Sequence, residues 1–363
     1  MSKFREFLKK KDIIFSGKRY GIDALGAMAQ GLFCTLLVGT ILNTIGQQLN
    51  IGFLNAVIAT IGKGEGAVSY TIGGLASAMV GPGIAIAIGY ALHCPPLVLF
   101  SLIPVGFAAN TMGGAGGPLA VYFVAILASE CGKLVSKETK VDILVTPIVT
   151  VLTGIGFAAL VAAPIGTAAS AVGEAVRWAT NQQPFLMGIL VSVIVGIALT
   201  LPISSAAICQ ALTLTGLAGG AAVAGCCAQM VGFAVMSFRE NRWGGLVAQG
   251  LGTSMLQMPN IIKNPRIWIP PTLASAITGP LATCLFKLEM NGAAVSSGMG
   301  TCGLVGQIGV YTGWVNSGKV ITAFDWIGLV LICFVLPAIL TWVFSLVLRK
   351  WGWIKENDLK LDL

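Results

Sequence analysis

Read for the order of apolar and polar positions, the chain falls into long apolar runs separated by short polar ones. Runs near the ~20 residues a helix needs to cross a bilayer's hydrocarbon occupy 22–45, 68–92, 143–164, 184–204, 215–237, 268–286 and 325–348. Three more, 95–110, 116–132 and 296–315, are shorter or interrupted by Gly and Pro, and each is read as a full span, a half helix or a re-entrant hairpin. Ahead of them, Phe4, Phe7, Leu8 and Phe15 fall on one helical side and Lys3, Arg5, Lys9 and Lys10 on the other. That is the pattern of a helix lying in the interface, here expected over 1–18 on the cytoplasmic leaflet. The stretch 165–180 is amphipathic, and Glu174 and Arg177, three apart on it, are expected to pair.

Composition agrees with the pattern. Of 363 residues, 56% are hydrophobic and 10% charged, where a soluble domain carries about 25% charged residues. The 47 glycines sit largely inside the apolar runs, which points to close helix packing or broken helices. The net charge of +8 is concentrated at the amino terminus and in short loops; it reads as topology and lipid contact, with no nucleic-acid partner. The nine cysteines show no CxxC spacing and stand beside a single histidine, so neither a metal site nor a disulfide framework is expected, and no cofactor. Seven basic residues precede Ile22 without a short apolar run and cleavage site, so no signal peptide is read.

Counting all ten runs gives both termini on the cytoplasmic side of a bacterial inner membrane, with Arg349, Lys350, Lys355 and Lys360 obeying the positive-inside rule. Lys133, Lys137 and Lys140 also fall inside. Arg239, Arg242, Lys263 and Arg266 fall outside on this count, so that loop dips back or one span is miscounted. Two stretches share an order of features. Pro95-Pro96 leads through Asn110 to the cluster Gly113 to Gly117; Pro270-Pro271 leads through Asn291 to Gly298, Gly300 and Gly303. The fold class expected is an all-α polytopic membrane protein of about ten transmembrane segments in two inverted five-segment repeats, with Gly-rich broken or re-entrant helices. Its parts are a leader (1–20), a first membrane repeat (21–164), a connector (165–183), a second repeat (184–348) and a tail (349–363).

Each glycine cluster must break its helix, because Gly costs about 1 kcal/mol relative to Ala and Pro118 suits the first turn of a new one. A restarting helix offers free N–H groups and the positive end of its dipole to anionic or hydroxyl-rich ligands. Two breaks facing each other would form one solute site from Asn110, Thr111, Gly113, Gly114, Asn291, Ser296, Ser297, Gly298, Thr301 and Gln307, with Ser204 and Ser205 as neighbours. The competing reading of these clusters is small-residue packing between helices. His93, the only histidine, and Glu65, flanked by glycines, are candidates for proton or ligand coupling. The stripe Gly219, Gly220, Ala221, Ala222 and Gly225 is read as a close-packing surface for a homodimer.

No Asp/Glu/His chain, Arg ladder, Walker motif or nucleophile elbow is present, which disfavours a proton pump, a voltage-gated channel, an ATPase and an intramembrane protease. The basic leader, Lys18 to Leu32, Asn110-Thr-Met-Gly-Gly-Ala-Gly-Gly-Pro118 and Leu201-Pro-Ile-Ser-Ser-Ala-Ala207 resemble the membrane component, enzyme IIC, of the bacterial sugar phosphotransferase system. The similarity is strongest to a divergent branch that includes the perfringolysin O regulator protein, and it spans about 15–350. It implies a homodimeric permease with two repeats, carrying a small polar or anionic solute by an elevator-type movement. The regulator label implies an alternative, a membrane sensor that binds a solute and signals to partners without transport. The Glu and His pair of sugar-binding relatives is not recognisable here, and the chain shows no phosphorylatable IIA- or IIB-type segment. It is therefore not expected to be an enzyme by itself, and phosphorylation would need separate soluble phosphotransferase components.

Overall fold

A computed structural model describes residues 3–62 and 67–361; Glu65 lies outside them. The chain divides into two compact units, Met1–Ala168 and Ala169–Leu363. Apart from one antiparallel hairpin of β1 (Ala59–Ile61) and β2 (Val68–Tyr70), the regular elements described are helical.

In the first unit α1 (Lys3–Lys10) precedes α2 (Arg19–Gln47), the bent pair α3 (Ile72–Ala78) and α4 (Val80–Ala91), set at 53°, and the helices α5 (Pro96–Gly113) and α6 (Gly117–Val135). The leader helix ends at Lys10, earlier than expected, because Asp12 turns the chain with φ +52°. The run 68–92 also begins differently: Val68–Tyr70 is a strand, and the helix starts after Thr71, whose hydroxyl caps Gly74 N at 3.0 Å.

By length and composition α5 and α6 read as one apolar stretch of 40 residues. They instead fold back on each other at Gly114–Gly116, with Gly113 against Ala120 and Val98 against Gly132. Gly114, at φ +51°, supplies the left-handed turn. The runs 95–110 and 116–132 are thus one helical hairpin, each arm rising about 27 Å.

The helix α7 (Asp142–Thr180) passes through the division between the units. Glu174 and Arg177 pair on it at 3.7 Å, both exposed. In the second unit Val176 and Ala179 of α7 join a core with Val191 and Val195 of α8 (Pro184–Thr200). After the short α9 (Ser205–Ala211) comes α10 (Gly216–Met236). The apolar window of α10 is 94% buried, against 22% for α7; α10 is therefore the axis of this unit, and α7 has most of its apolar surface turned outward. The expected dimer stripe is consumed in that axis: Gly225 lies against the carbonyl of Ser192, Gly220 against that of Leu288, and Ala221 and Ala222 are core residues. These small residues let α8, α10 and α13 (Ile269–Pro280) approach closely inside one protomer.

Between α10 and α13 lie α11 (Phe238–Val247) and α12 (Met258–Lys263). After α13 come α14 (Val305–Asn316) and the long α15 (Ala323–Lys350). Among the described residues five helical stretches are long and apolar enough to cross a membrane, or six with the bent pair, against the ten expected. The difference has local causes: α5 and α6 join through a helical turn, α8 and α13 have 17 and 12 residues, and 296–315 is broken.

The basic loop carrying Arg239 to Arg266 shares a face with the carboxyl-terminal segment. Arg349 pairs with Glu240 at 2.7 Å, Asn241 donates to Leu359 O at 2.7 Å, and Arg266 lies over the Trp353 ring at 5.1 Å. The count of ten runs sets this loop opposite the tail; the contacts set it beside the tail, and 291–316 enters and leaves at one end of the unit.

Candidate functional site

Helix α8 stops at Thr200 ahead of Pro202, where the residue before a proline is biased away from the helical conformation. Ser204 then caps α9, its hydroxyl accepting from Ala207 N at 3.2 Å. At one end of the unit Gly216 and Met290 exchange backbone hydrogen bonds of 2.9 and 3.0 Å, and Asn291 Oδ1 also accepts from Gly216 N at 3.1 Å. From there the chain descends along α10. Ser297 donates to Leu214 O at 2.7 Å, Ser205 donates to Gly298 O at 2.8 Å, and Thr301 Oγ1 lies 3.6 Å from Met230 Sδ. Met230 stands about 20 Å along α10 from Gly216 at 1.5 Å per residue. Helix α14 then climbs back until Gly313 lies beside Asn291. The segment 291–316 therefore enters and leaves at one end of the unit and turns at mid-height.

Its tip is strained. Gly300, Gly303 and Leu304 all have φ between 50° and 60°, and Leu304 in that region costs roughly 1–3 kcal/mol. A side chain on Gly300 would sit 2.6 Å from Cys226 Cβ, so glycine is required by both the turn and the approach.

From the opposite end a second irregular segment rises to meet it. Ala248–Gly252, a wide helical turn after α11, packs against Cys302–Leu304. Beyond it Ser254 shares a hydrogen bond of 2.8 Å with Thr200, and Gln257 donates to Gln249 Oε1 at 2.8 Å. Gln229, in the middle of α10, accepts from Trp268 Nε1 at 2.9 Å and from Thr200 Oγ1 at 3.3 Å. These buried groups are neutral and mutually bonded, which is the requirement for polar side chains at such depth. Gln307 is the exception. Its Nε2 reaches Cys227 Sγ at 3.1 Å, while its Oε1 is buried with no partner.

The other expected site residues are placed as follows. Ser296 is buried with its hydroxyl near Gly309. In the first unit Asn110 packs against Gly81 and Gly117 at the hairpin turn, and Thr111, exposed, donates to Phe107 O at 2.8 Å. Gly114 faces open space. Exposed His93 lies 3.2 Å from Asp12, at the other end of that unit.

His93 there borders a charge cluster. Arg19 binds both Asp12 oxygens, at 3.1 and 2.7 Å, and donates to Leu92 O at 2.6 Å; Lys133, 1% exposed, donates to the same carbonyl at 3.1 Å and pairs with Glu130 at 2.8 Å. Tyr20 donates to Glu130 at 3.0 Å. The Arg19 hydrogen bond holds the Asp12 carboxyl below its ordinary range, against the opposing effect of burial. The cluster anchors the leader through ion pairs and carbonyl contacts made within the first unit, with Arg19 Nε left unpartnered and Asp12 and His93 open to solvent.

Sequence reasoning missed Gln229, Gln249 and Gln257. Gln229 was legible, being the only amide in 215–237. Gln249 and Gln257 lie between the apolar runs 215–237 and 268–286, where hydropathy carries no signal for buried amides. Among the described residues no three of His, Cys, Asp or Glu come together to hold a metal.

No curated protein and no solved structure matches the chain. Residues 22–361, nearly all of it, match the phosphotransferase system EIIC family. With its apolar spans and its broken helices packed on a buried axis, the chain is a membrane protein of permease type and belongs to the phosphotransferase system EIIC family.

Proposed function

We propose that the protein carries a small polar or anionic solute across the membrane, and that the second unit holds it at the meeting of the tips 248–257 and 296–304. The observation that carries this reading is the unpaired Gln307 Oε1, a buried acceptor beside a strained glycine break and a set of neutral hydrogen-bonding side chains. An acceptor left without a donor costs about 1–3 kcal/mol, and a hydroxyl-bearing solute supplies the donor. The second unit, with its own core around α10, moves as one body in an elevator-type displacement. The homodimer and the separate soluble phosphotransferase partners rest on the family, and the bacterial inner-membrane location with a cytoplasmic amino terminus rests on the basic leader.

The test is uptake by proteoliposomes of radiolabelled hexoses, hexitols and sugar acids, with and without soluble phosphotransferase components. Saturable uptake of one class, abolished by Gly300→Leu, is expected. Binding without flux under both conditions would replace transport by solute sensing.

A further inference from the structure

The face of the second unit that carries the carboxyl-terminal segment contains two adjoining hollows. One, about 670 Å³, is lined by Arg239, Glu240, Arg349, Lys355, Glu356 and Lys360. The other, about 300 Å³, is apolar, with Trp243, Leu246, Trp342 and Leu346 in its walls, and Arg239 and Arg349 border both. Arg349 is committed to Glu240. That leaves Arg239, Lys355 and Lys360 as cations with no ion pair among the described residues, facing the single carboxylate of Glu356. Trp243, Trp342, Trp351 and Trp353 are all at least 40% exposed around this face, the position of indoles at a membrane boundary. Glu240, whose side chain is 4% exposed, has a second carboxylate oxygen with no hydrogen-bond partner.

We propose that this double hollow is a binding site for one anionic phospholipid with a hydroxylated headgroup, of the phosphatidylglycerol class. The phosphodiester lies among Arg239, Lys355 and Lys360, where the guanidinium fork matches two phosphate oxygens. A headgroup hydroxyl donates to the carboxylate of Glu240, and the first part of an acyl chain runs along Trp342 and Leu346. Charge complementarity selects the phosphate, the apolar groove selects a lipid over a free anion, and the orphaned acceptor selects a hydroxylated headgroup. A phosphatidylcholine headgroup brings its own quaternary cation into the cluster and offers Glu240 no hydrogen-bond donor.

Native mass spectrometry of the full chain from neutral detergent tests this, with phosphatidylglycerol, phosphatidylcholine and glycerol phosphate as probes. Phosphatidylglycerol is expected to be retained at least about tenfold better than phosphatidylcholine, and Arg239→Gln and Lys360→Gln to weaken it about fivefold each. Leu346→Ser, on the apolar wall and without charge change, should also weaken it. All three positions are partly open to solvent, and an unchanged melting temperature shows the variants folded. Equal retention of the two lipids, or retention unaffected by the charge variants, overturns the proposal. Binding of glycerol phosphate as tight as that of the lipid also overturns it, and would assign the cations to a soluble anion or an acidic protein partner.

Discussion

The hydroxyl of Ser205 donates to the carbonyl oxygen of Gly298 at 2.8 Å, joining the first turn of α9 to a segment 93 residues away in sequence. Each partner marks a break, one after Pro202 and one ahead of Gly300. The two breaks thus support each other, and the irregular backbone that neither could maintain alone is buried beside α10 with its polar groups paired.

Removing that bond with Ser205→Ala should lower stability by about 1 kcal/mol. Gly298→Val should cost more, about 1–3 kcal/mol by overpacking, because its Cβ would fall 2.6 Å from Ser205 O. Thermal unfolding in mild detergent gives the order; equal melting temperatures for the two variants would contradict the close approach.

Gln307→Leu removes the unpaired acceptor together with a weak contact to Cys227. Stability should stay level or rise, while affinity for the solute falls severalfold, in keeping with about 0.5–1.5 kcal/mol for a hydrogen bond. Solute titration followed by tryptophan fluorescence separates the two effects. Unchanged affinity would remove Gln307 from the site.

Lys133 and Glu130 stand one turn apart on α6 with side chains 1% and 12% exposed. Lys133→Met strands a buried carboxylate and should destabilise by about 3–5 kcal/mol. The double variant Lys133→Met with Glu130→Gln should recover much of that loss. Failure to recover would mean that Lys133 acts mainly through the Leu92 carbonyl.

The leader is held by carboxylates whose pKa values are lowered, Asp12 by its hydrogen bond from Arg19 and Glu138 by that from Lys11. A lowered folded value means the charged form is favoured by folding. The contribution is therefore complete above the ordinary values of 3.8 and 4.5 and is lost as pH falls through the folded values below them. A spin label at Ser16→Cys should stay immobile at neutral pH and loosen below about pH 4. Asp12→Asn should loosen it already at neutral pH.

Cysteines placed at Lys263 and Lys355 should react with an impermeant reagent from the same side of the membrane, since Asn260 and Asn264 bind the chain at Lys360 and Asp358. Labelling from opposite sides would restore a full crossing to 296–315.

The sequence by itself determined the membrane class, the apolar runs and the places where helices break. Those follow from hydropathy and from the backbone of Gly and Pro, which act within a few residues. It also showed that Gln229 is alone in its run, and that Arg239, Arg242, Lys263 and Arg266 conflict with a ten-span count. Tertiary structure decided how the breaks are used. That α5 and α6 fold back as a hairpin, that 291–316 turns at Thr301 and returns beside Asn291, and that Ala248–Gly252 rises to meet Cys302–Leu304 all depend on contacts between segments far apart in the chain. Hydropathy cannot distinguish these arrangements, because a half-height hairpin buried against α10 has the same apolar composition as a crossing helix. The stripe from Gly219 to Gly225 shows the same limit: small residues announce a close approach, but only packing reveals that the approaching backbone belongs to Ser192 and Leu288 of the same chain.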